Sequence, residues 1–129
     1  MATVQSPVLV IDDHPDVRES LEELLRGEGY AVETAENGRD ALAKLYAGLQ
    51  PCLIILDLMM PVMDGFAFRQ EQLNHPQFAH IPIIACSAAE LPHQAIAQLR
   101  VDACMQKPVD LAQMLALVNQ HCLKGPAQT

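Results

Sequence analysis

The chain has 129 residues, half of them hydrophobic, with three Phe, two Tyr and no Trp, and it carries a net charge of −8. That length suits one domain with an aliphatic core and no need of covalent staples. The acidic balance excludes the basic surface that nucleic acid or an anionic membrane would require, and the longest apolar run falls far short of a bilayer crossing.

Strand-like and helix-like segments alternate along the chain. Val8 to Ile11 is an apolar run of strand length. Pro15 to Arg26 has helical spacing, with Val17, Leu21, Leu24 and Leu25 on one face, Pro15 in the first turn, and Gly27 and Gly29 to stop it. Ala31 to Ala35 reads as a second strand, and Gly38 to Ala47 as a helix with Ala41, Leu42 and Leu45 inward. Leu53 to Leu56 is the third strand, ahead of a helix from about Gly65 to Asn74. A fourth strand (Ile83 to Cys86), a short helix (Pro92 to Leu99) and a fifth strand (Ala103 to Gln106) follow. Asp110 then caps a last helix whose Leu111, Met114, Leu115 and Val118 form one face, ended by Gly125-Pro126.

Five strand–helix units predict an α/β fold, a doubly wound five-stranded parallel sheet with five helices on its two faces. Strands one, three and four are apolar on both faces, as central strands are, while the second and fifth admit polar residues. The order 2-1-3-4-5 satisfies this and is flavodoxin-like; its topological switch falls between strands one and three. A single domain over 1–129 is expected, its core at about 8–123 and a short flexible tail at 124–129.

The four cysteines, Cys52, Cys86, Cys104 and Cys122, show no C-x-x-C spacing. Three lie in or beside predicted strands, where a free thiol packs as a small hydrophobe. A zinc site from Cys86, His93, Cys104 and Cys122 fits no familiar ligand spacing. With no signal peptide in the sequence, the expected compartment is the reducing cytoplasm.

Chemistry-bearing residues gather at the C-terminal ends of the predicted strands. Asp12 and Asp13 follow the first strand, Asp57 the third, Ser87 the fourth and Lys107-Pro108 the fifth. Singly, each has an ordinary role: an Asp caps a helix or a loop, Ser87 ends a turn, Lys107 sits in an exit turn. Together they pose an electrostatic problem. Adjacent strands lie ~4.8 Å apart, and two carboxylates at ~5 Å repel by about 3 kcal/mol at an effective dielectric of roughly 20. Either one is protonated or a cation sits among them, and Mg²⁺ suits a site of one or two carboxylates, water and a phosphate oxygen.

On these pieces the chain resembles the receiver domain of two-component response regulators, over about Val8 to Leu123. The matching residues are Asp12-Asp13, Asp57-Leu58-Met59-Met60-Pro61 with Asp64-Gly65, Ser87-Ala88 and Lys107-Pro108, in that order. The strand order inferred above is also that family's order, so the two readings are not independent.

The resemblance implies a phosphorylation switch of the chemotaxis-regulator kind. Asp57 would take a phosphoryl group from a histidine kinase or a phosphotransfer protein. Asp13 and Asp57, with the Met59 backbone carbonyl, would hold Mg²⁺ (or Mn²⁺), and Asp12 would act through metal-bound water. Lys107 and Ser87 would contact phosphoryl oxygens, and the Lys107-Pro108 bond would be cis. A downstream protein target would read the fourth helix, fifth strand and fifth helix. The chain would be a signalling phosphoacceptor and not an enzyme, beyond self-catalysed phosphotransfer and autodephosphorylation, and would bind neither nucleic acid nor membrane directly.

Three departures from that family's pattern stand out. Cys104 occupies the position of an aromatic switch residue, Arg100 that of a glycine after the fourth helix, and the stretch from Ser87 to Lys107 is short, so a trimmed fourth helix is expected. Among rival functions, a phosphatase of the haloacid dehalogenase type needs D-x-D where this chain has Asp57-Leu58-Met59, and no phosphate-binding glycine loop follows a strand. With only Lys124 to Thr129 after the last helix, a stand-alone regulator is expected. The alternatives are a receiver-like interaction module that no longer cycles phosphate and the N-terminal receiver of a longer multidomain regulator.

Overall fold

Strands and helices alternate without exception in the computed structural model, which describes residues 5–125. The strands are β1 (Val8–Ile11), β2 (Val32–Ala35), β3 (Leu53–Asp57), β4 (Ile83–Ser87) and β5 (Ala103–Gln106). The helices are α1 (Pro15–Gly27), α2 (Gly38–Tyr46), α3 (Gly65–Leu73), α4 (His93–Leu99) and α5 (Leu111–His121). All strand pairs are parallel, in the expected order β2-β1-β3-β4-β5.

The period of two along each strand sorts the core into two layers. Leu9, Ile11, Ile54, Leu56, Ile83 and Ala85 face one side and pack on Ala41, Leu42 and Leu45 of α2, Phe68 of α3 and Leu99 of α4. Val8, Val10, Leu53, Ile55, Ile84 and Cys86 face the other and meet Leu21 and Leu25 of α1 and Met114 and Val118 of α5. The central strands are buried on both faces, which is why they read as unbroken apolar runs.

Three helices start on side-chain caps: Asn37 accepts from Asp40 N, Asp64 from Ala67 N, and Asp110 from Ala112 N and Gln113 N. Neither Asp12 nor Asp13 caps α1, whose N-cap is His14 without a side-chain cap bond. The fourth helix is short, as expected, but Pro92 lies outside it as the N-cap, and only Leu99 is buried. Leu111, at one end of the predicted apolar face, is 49% exposed. It sits at the first position of α5 and lines the cleft beside Asp12, Asp57 and Lys107, so the buried Met114 and Val118 anchor the helix.

Two cysteines depart from the free-thiol expectation. Cys52, just ahead of β3, and Cys122, at the end of α5, form a disulfide with Cα atoms 5.4 Å apart across a sequence separation of 70. Cys86 and Cys104 remain free. The pairing arises because α5 runs back to the edge of the sheet where β3 begins, a proximity that only the assembled fold creates. It also removes Cys122 from any zinc set. Of the expected tail, Lys124 and Gly125 reach Glu28 and Gly29; 126–129 lie outside the described residues.

Candidate functional site

The parallel register brings the expected residues to one place. Ile11 pairs with Leu56, so Asp12 and Asp57, each one step further, emerge side by side. Ser87 pairs with Gln106, so Lys107 leaves the sheet beside them. Behind Asp57, Gly65 lets α3 start against the strand end. A Cβ there would lie 2.7 Å from Leu58 Cα and 2.8 Å from the Asp57 carbonyl oxygen, so a larger residue would force the loop apart.

Asp12 and Asp57 are each 3% exposed. Asp12 Oδ1 accepts from His14 N at 2.9 Å, and Asp12 Oδ2 from Lys107 Nζ at 3.1 Å. Lys107 Nζ also stands 3.6 Å from Asp57 Oδ1, which accepts from Met59 N at 3.2 Å. Two buried carboxylate oxygens, Asp13 Oδ1 and Asp57 Oδ2, have no hydrogen-bond partner among the described residues. Leaving such atoms unpaired costs roughly 1–3 kcal/mol apiece or more for charged groups, so the site is built for a further positive partner.

The electrostatics agree. Burial pushes the Asp57 carboxyl up to about 6; the Met59 N–H opposes this, the Asp12 charge adds to it and Lys107 opposes it. Burial works against the Lys107 ammonium, but its hydrogen bond to Asp12 and the charges of Asp12 and Asp57 hold it above its ordinary value. Burial also pushes the nearby Cys86 thiol up to about 12, which leaves it an inert hydrophobe.

Ser87 is placed at the site, but its hydroxyl is turned to the loop: it donates to Ala89 O at 2.7 Å and accepts from Ala89 N at 3.1 Å. The Met59 side chain is 55% exposed. The Lys107-Pro108 bond is cis, as the resemblance implies. A cleft of about 620 Å³ opens from Asp12, Asp57 and Lys107 between α1 and α5, with Val17, Leu21 and Met114 among its apolar walls.

His14 belongs to the site and was not among the residues read from sequence. Its Nδ1 lies 3.3 Å from an oxygen of each of Asp12 and Asp13. Asp12, Asp13, His14 and Asp57 each offer a ligand atom, all within 4.8 Å of one another. The two unpaired oxygens and the three carboxylates of this set fit a divalent cation such as Mg²⁺.

Comparison with known proteins agrees with this geometry. The family profile described as the response regulator receiver domain matches residues 8–119. An uncharacterized 14.6 kDa protein of Leptolyngbya boryana is 37% identical over 95% of this chain and 94% of its own length. The response regulator Rre1 of Synechocystis is 34% identical over 95% of this chain, which spans only 54% of Rre1. Among solved structures, the response regulator TrrA of Thermotoga maritima, in complex with Mg²⁺–BeF, is 31% identical with a TM-score of 0.78, over 89% of this chain and 97% of its own.

Proposed function

Because the chain belongs to the family of response regulator receiver domains, we propose that Asp57 is its phosphoryl acceptor and that the Asp12–Asp13–Asp57–Lys107 cluster is its switch site. The observation that carries the reading is the pair of buried, unpartnered carboxylate oxygens beside an ammonium shared between two acids. A purely structural cluster would have paired them.

In this reading an Asp57 carboxylate oxygen bonds to phosphorus as the P–N bond of a partner's phosphohistidine breaks. Mg²⁺ or Mn²⁺, when bound, supplies positive charge against the phosphoryl oxygens. Asp13, Asp57 and the Met59 backbone carbonyl would hold it, with Asp12 reaching it through water. Lys107 has only to move from Asp12 towards the new phosphoryl group to neutralise an oxygen. Positioning and charge neutralisation are what this transfer needs from a protein. The apolar cleft between α1 and α5 gives a kinase or phosphotransfer protein a seat beside the acceptor.

The Ser87 hydroxyl must leave Ala89 to reach a phosphoryl oxygen, which pulls on the Ser87–Leu91 loop. Helix α4 follows that loop and buries only Leu99, so its first turn can shift while Arg69 holds its last carbonyls. Cys104, half-buried against the same layer as Leu91, has no ring to flip. The switch therefore runs through this loop and α4, and a downstream protein reads the face of α4, β5 and α5. The site performs its own phosphotransfer and autodephosphorylation and has no other substrate.

We place the protein in the cytoplasm with its kinase, as a stand-alone regulator acting through protein contacts. The Leptolyngbya relative, matched over 94% of its own length, supports the single-domain part of that reading. Among the described residues no helix is long and apolar enough to cross a membrane.

Acetyl phosphate with Mg²⁺ should give one phosphoryl adduct in intact-protein mass spectrometry, abolished in Asp57→Asn and by excess chelator. An adduct that survives that substitution would overturn the assignment.

A further inference from the structure

We propose that His14 widens the acidic pocket's metal choice from hard Mg²⁺ to a borderline late first-row dication of the zinc, cobalt or nickel class. The proposal rests on the reading above only for the location of the cation pocket.

Three observations carry it. The imidazole is in reach: His14 Nδ1 stands 3.3 Å from Asp12 Oδ1 and 3.3 Å from Asp13 Oδ1, and with Asp57 the four side chains offer ligand atoms within 4.8 Å of one another. The pocket wants a cation independently of His14, since Asp57, 3% exposed, carries a buried oxygen, Oδ2, without a partner. The ring is held there by local chemistry. Pro15 confines the preceding residue to extended backbone, and His14 has φ −88 and ψ 114. Its own N–H donates to Asp12 Oδ1 at 2.9 Å, folding the turn back over the acids.

The ordinary role for a residue in this place is helix capping, but the His14 side chain makes no cap bond to α1. It is 64% exposed, so it can rotate onto an incoming ion without disturbing the core. A pocket of three carboxylates alone would suit Mg²⁺ or Ca²⁺, which take oxygen ligands. Adding one imidazole nitrogen favours metals that bind nitrogen and oxygen together, and intrinsic affinity for such a mixed site rises through cobalt and nickel. Because Lys107 also touches Asp12 and Asp57, the incoming dication competes with an ammonium, which favours the ion with the stronger ligand bonds.

The test is calorimetric titration of the parent, His14→Phe, His14→Gln and Asp13→Ala with Zn²⁺ and, separately, with Mg²⁺. A Co²⁺-loaded sample adds a spectroscopic reading. Zn²⁺ affinity should fall about tenfold or more in both His14 variants while Mg²⁺ affinity stays within about twofold. Asp13→Ala should lose both ions, and Co²⁺ should shift the His14 ring protons in the NMR spectrum. Zn²⁺ binding that is unchanged in the His14 variants, or that survives in Asp13→Ala, would overturn the proposal. So would a loss of Mg²⁺ affinity in the His14 variants as large as that of Zn²⁺. A parent that binds neither ion would overturn the proposal and count against the phosphoacceptor reading as well, whereas Mg²⁺ binding without Zn²⁺ binding would overturn the proposal alone.

Discussion

The two edges of the sheet are built on opposite terms. At the C-terminal edge, Asp12 and Asp57 share one ammonium with Asp13 close by, two buried oxygens lack hydrogen-bond partners, and burial holds Asp57 at about 6. At the N-terminal edge, the chain is tied down. Cys52 and Cys122 are bonded, Gln5 Nε2 donates to Gly29 O at 3.0 Å and Leu123 O at 2.8 Å, and Gly125 N donates to Gly29 O at 2.7 Å. The same four- and five-residue strands serve both edges. One end of each strand supplies cohesion, so the other can keep a charge arrangement that an isolated loop would relax.

The comparison breaks most visibly if the clamp is removed. Opening a cross-link over a separation of 70 residues restores loop entropy to the unfolded chain, at most about 4 kcal/mol. Cys52→Ser, Cys122→Ser or a reductant should therefore lower the urea midpoint, while the phosphoryl adduct on Asp57 still forms. A midpoint that does not move would show that the hydrogen bonds of Gln5 and Gly125 secure this edge without the disulfide. In a reducing cytoplasm the same measurement with reductant gives the working stability.

The opposite edge should respond with the opposite sign. Burial raises the Asp57 carboxyl to about 6 in the folded chain, against 3.8 for a free side chain, so the folded state holds the extra proton. The stability this gives is fully present below about pH 4 and lost as pH rises through about 6. At pH 7 without metal, Asp57→Asn should be the more stable protein by up to about 3 kcal/mol, a bound set by the size of that shift. The advantage should vanish near pH 4. Urea titrations of both proteins in chelator at the two pH values measure it, and an asparagine variant weaker than the parent at pH 7 would refute the frustrated-edge picture.

Metal should cancel that difference. With Mg²⁺ at about a hundredfold over its Kd, a bound ion adds roughly 2.7 kcal/mol to the folded state. If Asp13 is a ligand as proposed, Asp13→Ala removes that ligand and a like charge together, so it should melt higher than the parent in chelator and gain little from Mg²⁺. Melts of the two proteins with and without the ion decide this; an undiminished Mg²⁺ stabilisation in Asp13→Ala would exclude it as a ligand.

Much of the reactive edge was legible in the sequence because strand ends and charge are local features. The polarity of the second and fifth strands fixed the outside of the sheet, and Asp12, Asp57 and Lys107 each follow a strand directly. What escaped depends on tertiary approach. Cys52 and Cys122 meet only because α5 returns to the start of β3. Arg69, 6% exposed, donates to Leu99 O at 2.9 Å, to Gln72 Oε1 at 2.6 Å and to Arg100 O, and Gln72 donates on to Phe78 O and Ile81 O. This buried strut takes up carbonyls at the end of α4, yet in sequence it is a polar pair on a helix with little amphipathic contrast. Its spacing beside Phe68 placed it on the inner face, and the partners that make burial tolerable lie about 30 residues away. His14 escaped for a different reason: it reads as a helix entry, and only the turn over Asp12 reveals the ring among the acids.

The smallest effect lies where the tied edge itself carries strain. Arg100 ends α4 in the left-handed region, φ 54 and ψ 46, where an L-residue's Cβ crowds its own backbone at a cost of roughly 1–2 kcal/mol. It is the position at which the receiver resemblance calls for glycine. Arg100→Gly relieves that crowding but gives the unfolded chain more freedom, which takes back about 0.5–1 kcal/mol. Its carbonyl, the part that Arg69 uses, is kept, and a positive charge near the buried Arg69 guanidinium is removed. The net should be a gain of about 0.5–1 kcal/mol, a rise of roughly 2–4 °C in Tm for a chain of this size. The adduct at Asp57 should form as before, because α4 meets the site only through the Ser87–Leu91 loop. A fall in Tm would mean that the exposed Arg100 side chain holds α4 in a way its backbone does not. A rise in Tm with a slower adduct would mean that strain at this joint reaches the reactive edge, and the two edges would then have to be treated as one device.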